Sequence, residues 1–209
     1  MDDYYKHFSF ITIWLLFMTG LRFGEAQALE WETDIDSKKQ TLTVSKSMYY
    51  KNENENEITI AEPNTKASNR IIALNDNTVD FLKEWRERQL NVFSSKYVLS
   101  YNGLPTNKSA TFHIIERHSK LAKVHKIKTH TLRHSHASLL ISLGENALII
   151  LDRLGHEDIQ TTLGTYGHLY PNMDREVANR LKNVINVQHN QIADRKMLSN
   201  QYKLLLLDI

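Results

Sequence analysis

The chain has 209 residues, 41% of them hydrophobic and 24% charged, with a formal net charge of +2 and no cysteine. This balance excludes wholesale disorder, which needs low hydrophobicity and high net charge, and the length predicts one main core at roughly 100–200 residues per domain. The lack of cysteine excludes a disulfide framework, thiolate metal sites and a cysteine nucleophile, and it fits a cytoplasmic protein; the small net charge announces no nucleic-acid partner by itself.

The first predicted element is a helix over FSFITIWLLFM, residues 8–18, apolar around most of its circumference and stopped by Gly20, a residue at ease in left-handed geometry. It falls short of the ~20 residues needed to cross a bilayer, and the preceding MDDYYKH does not resemble a signal peptide, so a buried helix is expected and no membrane partner. Arg22 follows in a tight connection, and EAQALEW reads as a short helix whose leading Glu25 suits a positive helix N-terminus. From residue 31 to 73 the period changes. WETDI and TLTV read as strands around a turn at Asp36, Ser37 and Lys38, and RIIAL as another, giving a small antiparallel sheet. KNENENE reads as a solvated hairpin tip, and the turn-rich residues 63–68 place Lys66 on a loop leading into RIIAL.

The remainder is predicted helical. Residues 77–90 carry Val79, Leu82, Trp85 and Leu90 on one face, and another helix covers residues 111–124. A helix over residues 131–143 lines up Leu132, Leu139, Leu140 and Leu143 before Gly144, and the next stacks Ala147, Ile150, Leu151 and Leu154 before Gly155. His156 then lies just past a helix end, and Asp158 is placed to cap a short helix running to Tyr166. The fold class expected is α+β: a mainly helical domain with a small antiparallel β-sheet.

Certain polar residues recur in an informative order. TGLRFGE holds Arg22, TKASNRIIAL holds Lys66, THTLRHSH holds His130 and Arg133, and RLGHEDIQTTLGTYGHLYP holds His156 and Tyr166. In order and spacing these segments resemble the signature boxes of the tyrosine recombinase, or phage integrase, family, over about residues 10–187. The resemblance implies a DNA breaking-and-rejoining domain in which Arg22, Lys66, His130, Arg133 and His156 surround one scissile phosphate and Tyr166 attacks it.

Physical chemistry agrees with those roles. A guanidinium stays charged and offers forked donors to two phosphate oxygens, so Arg22 and Arg133 suit a clamp on a pentacoordinate transition state. A phenol with a pKa near ~10 needs a base or a strongly positive site, for which His130 is the candidate. Lys66 is the candidate proton donor to the departing sugar oxygen, and His156 a hydrogen-bond donor to the phosphate. A covalent phosphotyrosine conserves the phosphodiester's energy, so neither ATP, a metal nor another cofactor is expected.

Each assignment has a plainer rival. Arg22 could simply pair with Glu25; Tyr166 follows Ile159 and Leu163 at core-helix spacing; Tyr170 is a second tyrosine outside the matching spacing; Lys46 and Lys51 lie near Lys66. His130, His134 and His136 could bind zinc, but no HExxH pattern or carboxylate set accompanies them. The resemblance implies a catalytic domain over residues 1–187, a tail over 188–209 that is disordered or docks on a partner, and an upstream DNA-binding domain that this chain lacks. The expected partners are double-stranded DNA and further protomers, four on two paired sites, with no small-molecule substrate. The function expected is site-specific recombination through a 3′-phosphotyrosine, for integration or excision of a phage or other mobile element. The alternatives are a catalytically silent DNA-binding remnant, a type IB topoisomerase and, with least behind it, a metal-dependent hydrolase.

Overall fold

A computed structural model describes residues 3–50, 58–61 and 68–166. The chain divides into two units, Met1–Leu169 and Tyr170–Ile209. Every described residue lies in the first, so the expected boundary at residue 187 and the tail beyond it fall outside the described residues.

The apolar run becomes α1 (Asp3–Thr19), with Phe8, Ile11, Leu15 and Leu16 fully buried at the centre of the core. Its hydroxyls do not disturb that burial, because Ser9 and Thr12 donate to the Tyr5 and Phe8 carbonyls one turn back. Gly20 ends the helix with φ at +66°, as expected, and a second constraint acts there. A Cβ on Gly20 would lie 2.6 Å from the His136 ring and 2.8 Å from a Leu154 methyl. Only glycine serves at this junction.

Beyond it come α2 (Phe23–Ala28), α3 (Trp31–Asp34), β1 (Ile35–Asp36), β2 (Thr41–Val44), β3 (Ser47–Tyr50), β4 (Ile58–Ala61) and β5 (Arg70–Ala73). Strands β1, β2 and β5 form an antiparallel sheet in that order, with Leu42 opposite Ile72 and Val44 opposite Arg70. Asp36 makes the expected turn by accepting from the Lys38 and Lys39 amides. A second, two-stranded sheet pairs β3 with β4, and α2 packs on it so closely that a Cβ on Gly24 would meet the Met48 carbonyl at 2.6 Å. WETDI departs from expectation. Trp31–Asp34 is one helical turn, held where the Asp34 carboxylate accepts from the Glu30 amide and Trp31 Nε1 donates to Gln89.

The helical half follows as α4 (Asp76–Leu90), α5 (Lys108–Leu121), α6 (Thr129–Ser142), α7 (Ala147–Leu154) and α8 (Ile159–Tyr166). Asn75, Asn107 and Asn146 cap α4, α5 and α7 by accepting from amides of the first turn. Two expected apolar faces need correction. Leu90 is exposed, and so are Leu139 and Leu143, because α6 turns Leu132, Arg133, His136, Ala137 and Ile141 inward instead. Among the described residues no helix is long and apolar enough to cross a membrane.

Candidate active site

The last turn of α7 organises the charged residues. Its three final carbonyls, at Arg153, Leu154 and Gly155, accept from Arg70 Nε at 2.8 Å, Arg133 Nη2 at 2.8 Å and Arg22 Nη2 at 3.1 Å. Helix C-termini leave such carbonyls without partners and carry partial negative charge, so guanidiniums are drawn there. Gly155, at φ +67°, closes the helix in left-handed geometry and delivers His156 beside the same cluster. Arg133 is anchored at its other side by the Gly20 carbonyl at 2.6 Å, so residues 20, 133 and 154 are bound into one junction. Burial and the neighbouring Arg22 pull the Arg133 pKa down to about 10, leaving it charged at neutral pH.

Glu25 is buried with two arginines upon it. Arg22 Nη1 and its backbone amide donate to the carboxylate at 2.9 and 2.8 Å, and Arg70 grips both carboxylate oxygens at 3.1 and 2.9 Å. Burial alone would raise the Glu25 pKa, but Arg70 and then Arg22 outweigh it and hold the carboxyl below its usual range. The expected rival role of Arg22, pairing with Glu25, is therefore real, yet it occupies one edge of the guanidinium only.

Tyr166, at the end of α8, is buried, and its hydroxyl lies 2.6 Å from His134 Nδ1. His134 in turn meets His130 one turn earlier on α6, ring centroids 4.8 Å apart and perpendicular. Sequence reasoning assigned His130 to the phenol; the hydrogen bond belongs to His134. Burial pushes the Tyr166 pKa up, against a smaller downward pull from Arg133. Desolvation lowers the His130 pKa with help from His134, Arg133 and Arg22, and the His156 pKa falls to about 4 through desolvation and the fields of Arg133, Arg22 and Arg70. Both imidazoles are neutral at pH 7.

Arg22, Arg133, His156 and Tyr166 thus lie close enough for their charges to act on one another, with the exposed His130 beside them. Lys66 lies outside the described residues, as do Tyr170 and Lys51. The three histidines once considered for zinc diverge, since His134 turns to Tyr166 while His136 is buried and accepts from Arg153 Nε at 3.1 Å. Among the described residues no group of three His, Asp or Glu is arranged to hold a metal ion. A cavity of about 470 Å³ opens at His130, lined also by Phe23, Lys108, Phe112, Lys128 and Thr129. Neither lysine makes an ion pair among the described residues.

The model of the phage integrase family matches residues 4–173. The chain belongs to the phage integrase family. It is 34% identical over 177 residues to the ICEBs1 integrase of Bacillus subtilis strain 168, covering 81% of this chain and 47% of that one. It is 29% identical to the integrase of Staphylococcus phage L54a, covering 80% and 50%. The chain therefore spans about half the length of these curated relatives. Among solved structures, the Tn1549 transposon integrase in complex with circular intermediate DNA superimposes with a TM-score of 0.69 at 23% identity, over 87% of this chain and 61% of that one. The XerA recombinase gives 0.61 at 21%, over 88% and 65%. At these identities the structural likeness establishes the fold, a mostly helical integrase-family domain with small antiparallel sheets.

Two groups beside these residues carry no signal of their partners in the sequence. His134 stands next to Arg133 in THTLRHSH, where the sequence suggests no role for it beyond metal binding, although its i,i+4 relation to His130 puts both on one helix face. Arg70 heads the strand RIIAL, where an arginine reads as solvated; nothing local signals its partner 45 residues earlier.

Proposed function

We propose that this chain carries the catalytic machinery of a site-specific DNA recombinase that cuts and rejoins strands for integration or excision of a mobile element. The observation that carries this reading is the convergence of two guanidiniums with spare donors, a neutral His156 and a phenol already hydrogen-bonded to an imidazole. Double-stranded DNA is the substrate. Recombination joins two duplexes through four cleavages, so four protomers on paired sites are the working assembly, whereas a single protomer suffices for one cleavage.

Tyr166 Oη forms a bond to phosphorus as the bond from phosphorus to the 5′ oxygen breaks, leaving a 3′-phosphotyrosine. The phenolic proton passes to His134 Nδ1 when that nitrogen is bare, and the departing oxygen takes a proton from Lys66. Arg22 and Arg133 neutralise charge building on the nonbridging oxygens, and each such donor is worth ~3 to 4 kcal/mol of barrier. His156, neutral through its low pKa, donates its N–H to the phosphate. A 5′ hydroxyl of the recombining strand then attacks the phosphotyrosine, and the proton flow reverses.

A duplex nicked close to the cut site lets the short strand diffuse away and traps covalent protein–DNA adduct, resolved by denaturing electrophoresis. Wild type is expected to trap, Tyr170→Phe to trap equally, and Tyr166→Phe to give none. Trapping should persist in EDTA, because the arginines supply the positive charge a metal would otherwise bring. Wild type that binds the duplex but never traps would identify a silent DNA-binding remnant, and adduct lost in Tyr170→Phe alone would move the nucleophile.

A further inference from the structure

We infer that Arg70 is a positioning residue for phosphate activation, acting by satisfying Glu25 so that Arg22 remains a net cation facing the substrate. The inference rests on the reading of the pocket as a phosphodiester site.

Donor accounting separates the arginines into two kinds. A guanidinium has five N–H groups. Arg70 commits four of them: two to Glu25, one to the Ser68 carbonyl at 3.1 Å and one to the Arg153 carbonyl. With a single N–H left over, it has no pair of donors to offer a ligand. Arg22 spends two side-chain donors, on Glu25 and Gly155, and is 39% exposed, and Arg133 likewise spends two, on Gly20 and Leu154. Three N–H groups remain on each.

Charge accounting gives Arg70 its purpose. Glu25 and Arg22 alone would form a closed, neutral pair, and Arg22 would present an incoming phosphate with a charge largely cancelled by the carboxylate behind it. Arg70 restores the balance, since two guanidiniums on one carboxylate leave a net positive unit. The fork also fixes geometry: with both carboxylate oxygens pinned, Glu25 holds the Arg22 backbone amide and Nη1 together, and the Gly155 carbonyl holds the opposite edge. Lysine supplies the charge without the fork, and glutamine supplies neither.

The test compares single-turnover cleavage by wild type, Arg70→Lys and Arg70→Gln on nicked duplexes whose scissile group is either a phosphodiester or an uncharged methylphosphonate. Loss of a transition-state donor costs about 10²–10³-fold, so Arg70→Gln should lose at least about tenfold on the phosphodiester, with Arg70→Lys between it and wild type. On the methylphosphonate, which lacks one nonbridging oxygen and the ground-state charge, less negative charge has to be neutralised and the variants should approach wild type to within about threefold. Equal deficits on both substrates would reduce Arg70 to a scaffold, and wild-type rates on the phosphodiester would remove it from the mechanism. A second readout needs no cleavage. The His156 titration, followed by NMR in the whole chain, should move upward in Arg70→Gln and return most of the way in Arg70→Lys; an unmoved His156 overturns the inference. If wild type itself never cleaves while His156 shifts as stated, it is the recombinase reading that fails. Should Arg70→Gln not fold, Arg70→Lys carries both measurements.

Discussion

The Tyr166 phenol sits 2.6 Å from His134 and is pushed toward a higher pKa by burial, so in the proposed reaction its oxyanion would be generated only at the moment of attack. That places the burden on the imidazole. A positioned base contributes about 10²–10⁴-fold, and His134→Ala should lose within that range in single-turnover cleavage at pH 7. The pH dependence identifies the cause: once no base takes the proton, the phenol must ionise by itself, and the rate should climb about tenfold per pH unit from pH 7 to 9. His130→Ala should keep a shallower profile, and the reverse pattern would return the role to His130. That Arg22, Arg133, His156 and Tyr166 would lie near one another was legible because their boxes have a recognisable order. His134 and Arg70 were not, because what distinguishes them is the partner that tertiary packing brings, α8 for one and Glu25 for the other.

At the scale of elements, α6 explains why its inward face was misread. Leu132, Leu139, Leu140 and Leu143 form the obvious apolar stripe, yet the helix buries Arg133, which donates to the Gly20 and Leu154 carbonyls, and His136, which accepts from Arg153. A helix that builds a site hides polar groups, and periodicity of apolar residues cannot report that. Where no such demand exists, α1 and α7 follow their apolar spacing and their Asn or Gly boundaries. WETDI failed for a local reason, a carboxylate at Asp34 turning back to the Glu30 amide. The buried His136 also ties α6 to pH. Burial, Arg153 and Arg133 lower its pKa to about 4, against an unfolded value of 6.5. The unfolded chain therefore takes up this proton first as pH falls, and folding stability is lost across the window from about 6.5 down to 4. Between pH 7 and 5 the His136 share of that loss is about 2 kcal/mol. His136→Gln, which keeps an acceptor for Arg153, should show a correspondingly smaller drop in urea midpoint over the same interval. An equal drop would assign the acid sensitivity elsewhere, His156 being the next candidate because its pKa is also about 4.

For the molecule as a whole, a formal charge of +2 spread over 209 residues conceals how unevenly charge is arranged. Arg22, Arg70 and Arg133 converge on the end of α7 with Glu25 as the carboxylate that Arg22 and Arg70 share, and Lys108 and Lys128 flank a cavity beside His130 at the starts of α5 and α6. If a DNA strand crosses His130 toward Tyr166, the phosphates on either side of the scissile one pass those lysines. Each lysine–phosphate contact displaces counterions and contributes about −0.9 to the slope of log K against log salt. Lys108→Ala and Lys128→Ala should each flatten the measured slope by about one unit and weaken binding evenly across unrelated duplex sequences, because phosphate contacts position DNA without reading bases. Fluorescence anisotropy of a labelled duplex between 50 and 200 mM salt, about the range over which such contacts dominate, gives both quantities. A slope unchanged in both variants would place the strand elsewhere on the surface, while a loss confined to one sequence would mean that these side chains read bases instead.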